Sequence, residues 1–474
     1  MKKNFILTAV LLTSFFSWLL SFPYFGSILT VLSGSYVVDG NQITLTFILF
    51  HALGFLCGAL FLKKTALWKH WIILSLAVMI ILNLMLLLLP SVLWIPLMAL
   101  IGFISSFYIL GWSVIFSTFS TVEKIQLYSS SLFTANLLNL CLLYYSDSFS
   151  PEVLLLAIKL PLAAAIVVML LKRSDLENDP LSGQSIKVIF PARLVSLLFV
   201  VTFLLHFSFG FMFAVVDESH SFMDSNAFAQ NYFRYIPYLL ACMLVCLSAS
   251  VFKLRYLVYT AISLFGLAYV FFALLNKTVA GFYLTTSMVE SAVVILSVCV
   301  WVALGDLSLD HKVPYRLFGF GFFTTLLGVF AGGATGSHLL ATSAMPELTA
   351  ALAAIAAIFV ALLAFPWLLD KIGRVLPAIM ENDDLPPPVD PLVELNAIYE
   401  KADLTKREIE IVGQLCQGHT NRVIAKNLYI TENTLKTHLK KIYRKLDVSS
   451  KSELISMLAT RSFPKPSSKK LAKK

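Results

Sequence analysis

Residues 71–90, WIILSLAVMIILNLMLLLLP, run for twenty positions almost without a polar side chain. A helix rises 1.5 Å per residue, so twenty such residues cover the hydrocarbon core of a bilayer, about 30 Å thick. Working outward, comparable runs fall near 5–25, 43–62, 92–117, 127–146, 153–171, 194–215, 235–252, 256–275, 281–304, 317–341 and 349–369. With this run, taken as a span over 70–89, the reading is twelve membrane spans. Composition agrees: 58% of the 474 residues are hydrophobic and 13% charged, against about 25% charged in a soluble domain. The N-terminal MKKNFILTAVLLTSFFSWLL has two lysines before an apolar run but no small-x-small cleavage pattern, so it reads as a retained first span rather than a signal peptide.

Lys and Arg in short loops set orientation. With the N-terminus inside, the inner loops receive Lys63, Lys64, Lys69, Lys124, Lys172, Arg173, Lys253, Arg255, Lys312 and Arg316 among others, and the outer loops only Arg234 and Lys277. The bias supports an even number of spans, both termini in the cytoplasm, and residence in the cell (inner) membrane. The longest inner loop, 172–193, divides the spans into two sets of six. This layout resembles the major facilitator family, which implies a 6+6 bundle with a cavity between its halves. The family's loop after the second span carries an Asp ahead of a basic run; here GALFLKK has Leu62 at that place, followed by Lys63 and Lys64. That departure weakens the transport reading.

Charge is unevenly spread. From Lys401 onward there are 17 Lys and Arg against 6 Asp and Glu, a net +11, whereas residues 1–400 hold 19 against 21. Between the two regions, VLPAIMENDDLPPPVDPLVEL reads as a Pro-rich, acidic linker over 375–400 with a reach on the order of 28 Å. It separates a membrane domain, 1–374, from a small domain, 401–462, and a basic tail, 463–474. Within the small domain, Thr405 with Glu408 and Ser450 with Glu453 have capping-box spacing. Gly418 closes a first helix, Thr420 or Asn421 opens a second, and Thr431 caps a third. That third stretch, TENTLKTHLKKIYRKL at 431–446, carries five Lys or Arg side chains. At 100° per residue Leu435, Leu439, Ile442 and Leu446 share one face, and Lys436, Thr437, Lys440, Lys441 and Arg444 the opposite one. Two helices joined by a tight turn through Tyr429 and Ile430, the second basic on its outer face, make a helix-turn-helix.

The segment resembles the DNA-binding domain of LuxR/GerE-type (NarL-like) regulators. The resemblance rests on Leu404, Thr405, Arg407, Glu408, Gly418, Thr420, Asn421, Ile424, Ala425, Leu428, Ile430, Thr434, Lys436, His438, Ile442, Lys445, Leu446, Val448 and Glu453. It implies base contacts from Lys436, Thr437 and Lys440, phosphate contacts from Asn421, Thr434, Lys441 and Arg444, and dimerisation on DNA through a last helix with Leu454, Ile455 and Leu458 as the apolar seam. The expected class is therefore all-α: a polytopic bundle followed by a four-helix domain that binds double-stranded DNA.

The remaining candidates lie in the spans, where ionisable groups are costly and point to sites. Lys159 and Glu290 lead, followed by His206 and His51, each weighed against an internal pair that only stabilises packing. Gly328, Gly332 and Gly336 repeat every fourth residue on one face of the eleventh span, a close-packing pattern. Cysteines 57, 141, 242, 246 and 299 sit in apolar runs and Cys416 in the tail, without metal-ligand spacing. No catalytic constellation emerges, and neither cofactor nor metal is expected. Two functions fit: a membrane-bound regulator in which a small molecule acts on the bundle and alters DNA binding, or a secondary transporter with a fused regulatory domain.

Overall fold

The computed structural model describes residues 3–24, 26–36, 38–172, 192–219, 221–223, 226, 228, 232–275, 277–311, 313–343, 345, 348–356, 359, 404–416, 421–428, 430–446, 448 and 454. The expected linker and basic tail lie outside them. The chain forms two compact units, Met1–Asp383 and Asp384–Lys474.

In the first unit the helices are α1 (Lys3–Ser21), α2 (Ser27–Tyr36), α3 (Gly40–Phe61), α4 (Trp68–Leu88), α5 (Trp94–Ser117), α6 (Thr121–Tyr144), α7 (Pro151–Ala157), α8 (Leu160–Lys172), α9 (Ala192–Ser219), α10 (Tyr235–Leu247), α11 (Leu254–Leu275), α12 (Val279–His311) and α13 (Pro314–Thr342). Residues 348–356, the start of the twelfth expected span, are also helical. Among the described residues, eight helical segments are individually long and apolar enough to cross a membrane. In α4 the buried residues Trp68, Ile72, Leu76, Met79, Asn83 and Leu86 form one stripe, while Leu74, Ile81, Leu84 and Leu88 face outward. Outward-facing leucine is costly in water and neutral in lipid, so the all-round apolar character of α4 is that of a membrane helix. The fifth expected span, α6, falls short by composition because Ser129, Ser131, Asn136 and Asn139 are turned into the bundle, whereas Leu137 and Leu138 remain exposed.

The sixth span is broken. Pro161 has no N–H to give the carbonyl of Ala157, so α7 ends at Ala157 and α8 restarts at Leu160, with Ile158 and Lys159 in a turn between them. Helix α2, in the connection between the first two spans, was not anticipated by the sequence reading.

The halves meet where α3 packs on α13 and α6 on α10, with further contacts of α12 on α6 and α13 on α5. Close approach comes from glycine. A Cβ on Gly328 or Gly336 would lie 2.7 Å from the carbonyl oxygen of Phe203 or Phe211 on α9, and one on Gly332 would collide with the Phe207 carbonyl. The four-residue glycine repeat thus seats α13 backbone to backbone on α9.

The second unit is built from α14 (Lys406–Cys416), α15 (Asn421–Asn427) and α16 (Glu432–Leu446). Its core joins Ile411, Val412 and Leu415 of α14, Ile424 and Ala425 of α15, Leu435, Leu439, Ile442 and Leu446 of α16, and Val448 and Leu454.

Candidate functional sites

The second unit is held in register by a buried carboxylate. Thr405 and Glu408 form the expected capping box: the Thr405 N–H donates to Glu408 Oε2 at 2.9 Å and the Glu408 N–H to Thr405 Oγ1 at 3.4 Å. The same Oε2 takes Lys445 Nζ from α16 at 2.8 Å. Burial alone would raise the Glu408 carboxyl, but the Lys445 ammonium and the Thr405 donors outweigh it and hold it below the usual glutamate value. Lys445 therefore ties α16 to α14. Arg407 reaches the Leu428 carbonyl at the end of α15 and pairs with Glu410 at 2.7 Å. Both clamps lay among the residues of the resemblance, but no spacing rule pairs positions 21 or 37 residues apart.

With the interior of α16 packed and Lys445 engaged, Lys436, Thr437, Lys440, Lys441 and Arg444 are exposed together on its outer face. Thr431 caps the helix, its hydroxyl taking the Thr434 N–H at 3.2 Å. Thr434 is exposed at the N-terminal end of α16, and Asn421, half-buried, opens α15. In general an exposed basic helix face suits a major groove, where lysine matches guanine edges and helix N-termini match phosphate. Leu454, expected on a dimer seam, is fully buried in the domain's own core and offers no surface in the protomer. Ile455 and Leu458 lie outside the described residues.

In the first unit a cavity of about 690 Å³ lies between the two six-helix sets. Its wall includes Glu290 of α12, His51 of α3, His206 of α9, Tyr128 and Asn136 of α6, Tyr238 of α10 and Arg234 just before it, and it continues to Tyr24, Gly26, Asp39 and Asn41 at the connection between α1 and α3. Lys159 does not line it. Its side chain is buried at the α7–α8 break and Nζ has no hydrogen-bond partner, so the internal pair weighed from the sequence is not formed at this lysine.

Toward the opposite end, where Lys63, Lys64, Lys253 and Arg255 sit, the cavity stops. Trp301, on its wall, belongs to an aromatic cluster: Tyr128 and Phe322 lie 4.7 Å from its ring, Trp112 5.5 Å and Phe16 5.7 Å. Beyond it Lys124, at the start of α6, meets Asp306, near the end of α12, at 2.5 Å, and Thr121 donates to the second carboxylate oxygen at 3.0 Å. Lys124 is 1% exposed, so this ion pair is a dry link between the halves at their basic end. Tyr315 at the start of α13 adds a 3.5 Å bond to the Lys64 carbonyl. The sequence placed Lys124 among loop cations and ended the tenth span before Asp306, which concealed the pair. Among the described residues no group of three His, Cys, Asp or Glu side chains could hold a metal ion.

Comparison with known proteins divides at the same place. Residues 402–458 match the family of bacterial regulatory proteins, luxR family. Over 73 residues the chain is 42% identical to the monoamine regulon transcriptional regulator of Klebsiella aerogenes, covering 14% of this chain and 32% of that protein. Over 57 residues it is 44% identical to the CsgBAC operon transcriptional regulatory protein of Escherichia coli, 12% of this chain and 26% of that one. It is 48% identical over 50 residues to LiaR of Bacillus subtilis, 10% and 24% respectively. The chain thus spans about a quarter to a third of the length of these relatives. The fold of the larger unit is similar to the human organic anion transporter MFSD10, with a TM-score of 0.56 at 14% identity over 77% of this chain and 98% of that one. It is similar also to the major facilitator transporter FucP in the outward conformation, 0.53 at 15% over 75% and 98%, and to an outward-facing bacterial homologue of ferroportin, 0.54 at 14% over 78% and 100%. The chain therefore joins a membrane domain of the major facilitator fold to a C-terminal LuxR-family helix-turn-helix domain.

Proposed function

We propose that this protein is a membrane-bound transcription regulator in which a small molecule entering the cavity between the two six-helix halves controls DNA binding by the C-terminal domain. The observation that carries the reading is the exposed basic face of α16, complete with its own core and clamps, in one chain with a bundle of major facilitator fold. Lys436, Thr437 and Lys440 read base edges; Asn421, Thr434, Lys441 and Arg444 hold phosphates; two copies pair on DNA through the segment containing Ile455 and Leu458. The basic ends of the helices and both termini face the cytoplasm of the cell membrane, as the loop cations argue.

A ligand changes a two-state equilibrium only through its differential affinity for the states. The states here are one closed at the basic end by Lys124, Asp306 and Tyr315, and one in which those links part. No reacting groups are needed for this role, and the protein acts as a non-enzyme. A transporter with a fused DNA-binding domain is the second reading, favoured by the cavity itself. Uptake by proteoliposomes of the full chain separates them. Absence of concentrative uptake of compounds that alter DNA binding supports the regulator; accumulation that persists without residues 390–474 supports the transporter.

A further inference from the structure

The cavity wall carries both hydrogen-bond donors and acceptors, and among its acids Glu290 stands apart. Among the described residues no donor or ion-pair partner meets the Glu290 carboxylate; Arg234 acts on it only through space. The second acid on the wall, Asp39, is already engaged, capping α3 by accepting the Asn41 and Gln42 N–H groups at 2.9 and 3.1 Å. His51 gives its Nδ1 proton to the Gly102 carbonyl at 2.9 Å, and His206 gives its own to the Thr202 carbonyl at 2.8 Å. In a neutral imidazole the other nitrogen is then a bare acceptor, so the two halves each present an Nε2 lone pair. The cation on the wall, Arg234, lies over the Phe213 ring at 5.5 Å. Tyr128, Tyr238 and Trp301 line the same cavity, and aromatic ring faces attract cations.

We infer that the cavity takes an aromatic amine in its protonated form, the ammonium received by Glu290 and the ring held among the aromatic walls. A carboxylate without a hydrogen-bond donor at membrane depth is expensive, and Arg234 eases that cost only through its charge. An ammonium adds a second positive charge and up to three N–H donors. A carboxylate ligand would add a second anion to a wall already rich in acceptors. The inference rests on the regulator reading only in treating the cavity as a ligand site, and it stands apart from how binding is passed to DNA.

The test uses the full-length protein in nanodiscs and three probes with one phenyl body: phenethylammonium, L-phenylalanine and 3-phenylpropanoate, titrated calorimetrically. The expected order is phenethylammonium at least tenfold tighter than the other two. Glu290→Gln, which keeps the shape, should weaken the amine at least tenfold, and Glu290→Asp should stay within about threefold of the native protein; an unchanged unfolding midpoint shows that both variants fold. The assignment is overturned if phenylalanine or phenylpropanoate binds as tightly as the amine, if none of the three binds, or if Glu290→Gln leaves the amine unaffected. A promoter reporter run beside the titration separates the two ideas. Amine binding without any reporter response would leave the site standing and remove the regulator reading, whereas a reporter driven by other compounds, with no amine binding, would do the reverse.

Discussion

Changing Asp306 to Asn tests the gate. In the native protein the Lys124 ammonium is 1% exposed and meets Asp306 at 2.5 Å. Asparagine keeps the volume and can still bond Thr121, but leaves a buried lysine without its counter-charge. Removing one partner of a buried pair costs about 3–5 kcal/mol, and the cost falls on the closed state alone, because opening the basic end hydrates Lys124. At about 1.4 kcal/mol per decade, the ratio of closed to open molecules should fall by about two to nearly four orders of magnitude. Spin labels at Lys64 and Lys253, one in each half at the basic end and both exposed, report the change by pulsed dipolar spectroscopy. The native protein should give a single short distance, Asp306→Asn a dominant longer one, and the Lys124→Met/Asp306→Leu double variant, which removes both charges, should return to the short distance. A folded Asp306→Asn protein with the native distance distribution would refute the reasoning.

Other consequences follow from the same structure. Lys441→Ala should weaken DNA binding about equally on all sequences and reduce the slope of log affinity against log salt by about 1, whereas Lys436→Ala should cost about 1–3 kcal/mol on the preferred site and relax its specificity; anisotropy titrations over a salt series distinguish the two. Because the Glu408 carboxyl is held below its ordinary value of 4.5, it stabilises the second unit fully above that value, and the contribution disappears as pH falls through the depressed native value. Pulse proteolysis of the full chain should find this unit acid-labile, with Glu408→Gln less stable at neutral pH and less dependent on pH. Gly332→Ala forces a methyl against the Phe207 carbonyl and should cost about 1–3 kcal/mol, lowering the unfolding midpoint of the membrane unit. Gly333→Ala, whose methyl would meet only the Gly210 carbonyl at 3.9 Å, should not.

Local patterns made much of this fold readable. The all-round apolar helices, the glycine repeat on α13 and the two-faced character of α16 each depend on neighbours within a few turns, and each is where the periodicity places it. What escaped depends on distant partners. Lys124 and Asp306 are 182 residues apart, and each alone looks like an ordinary charge at a helix end. Lys445 resembles the exposed cations beside it in sequence, but its position on the helix turns it inward to Glu408. Lys159 and Glu290 looked equivalent as charges in apolar runs; the fold puts one in the cavity and buries the other at a helix break. The break itself was legible in Pro161 and was missed because the surrounding residues are uniformly apolar.

The most direct test of the central claim is crosslinking of the tagged, full-length protein to chromatin in its own cells, followed by sequencing, beside the Lys436→Ala/Lys440→Ala variant at equal abundance in the membrane. The account predicts discrete peaks at a small set of promoters for the native protein and their loss in the variant. Identical profiles for the two proteins, across growth conditions that include candidate amines, would contradict it.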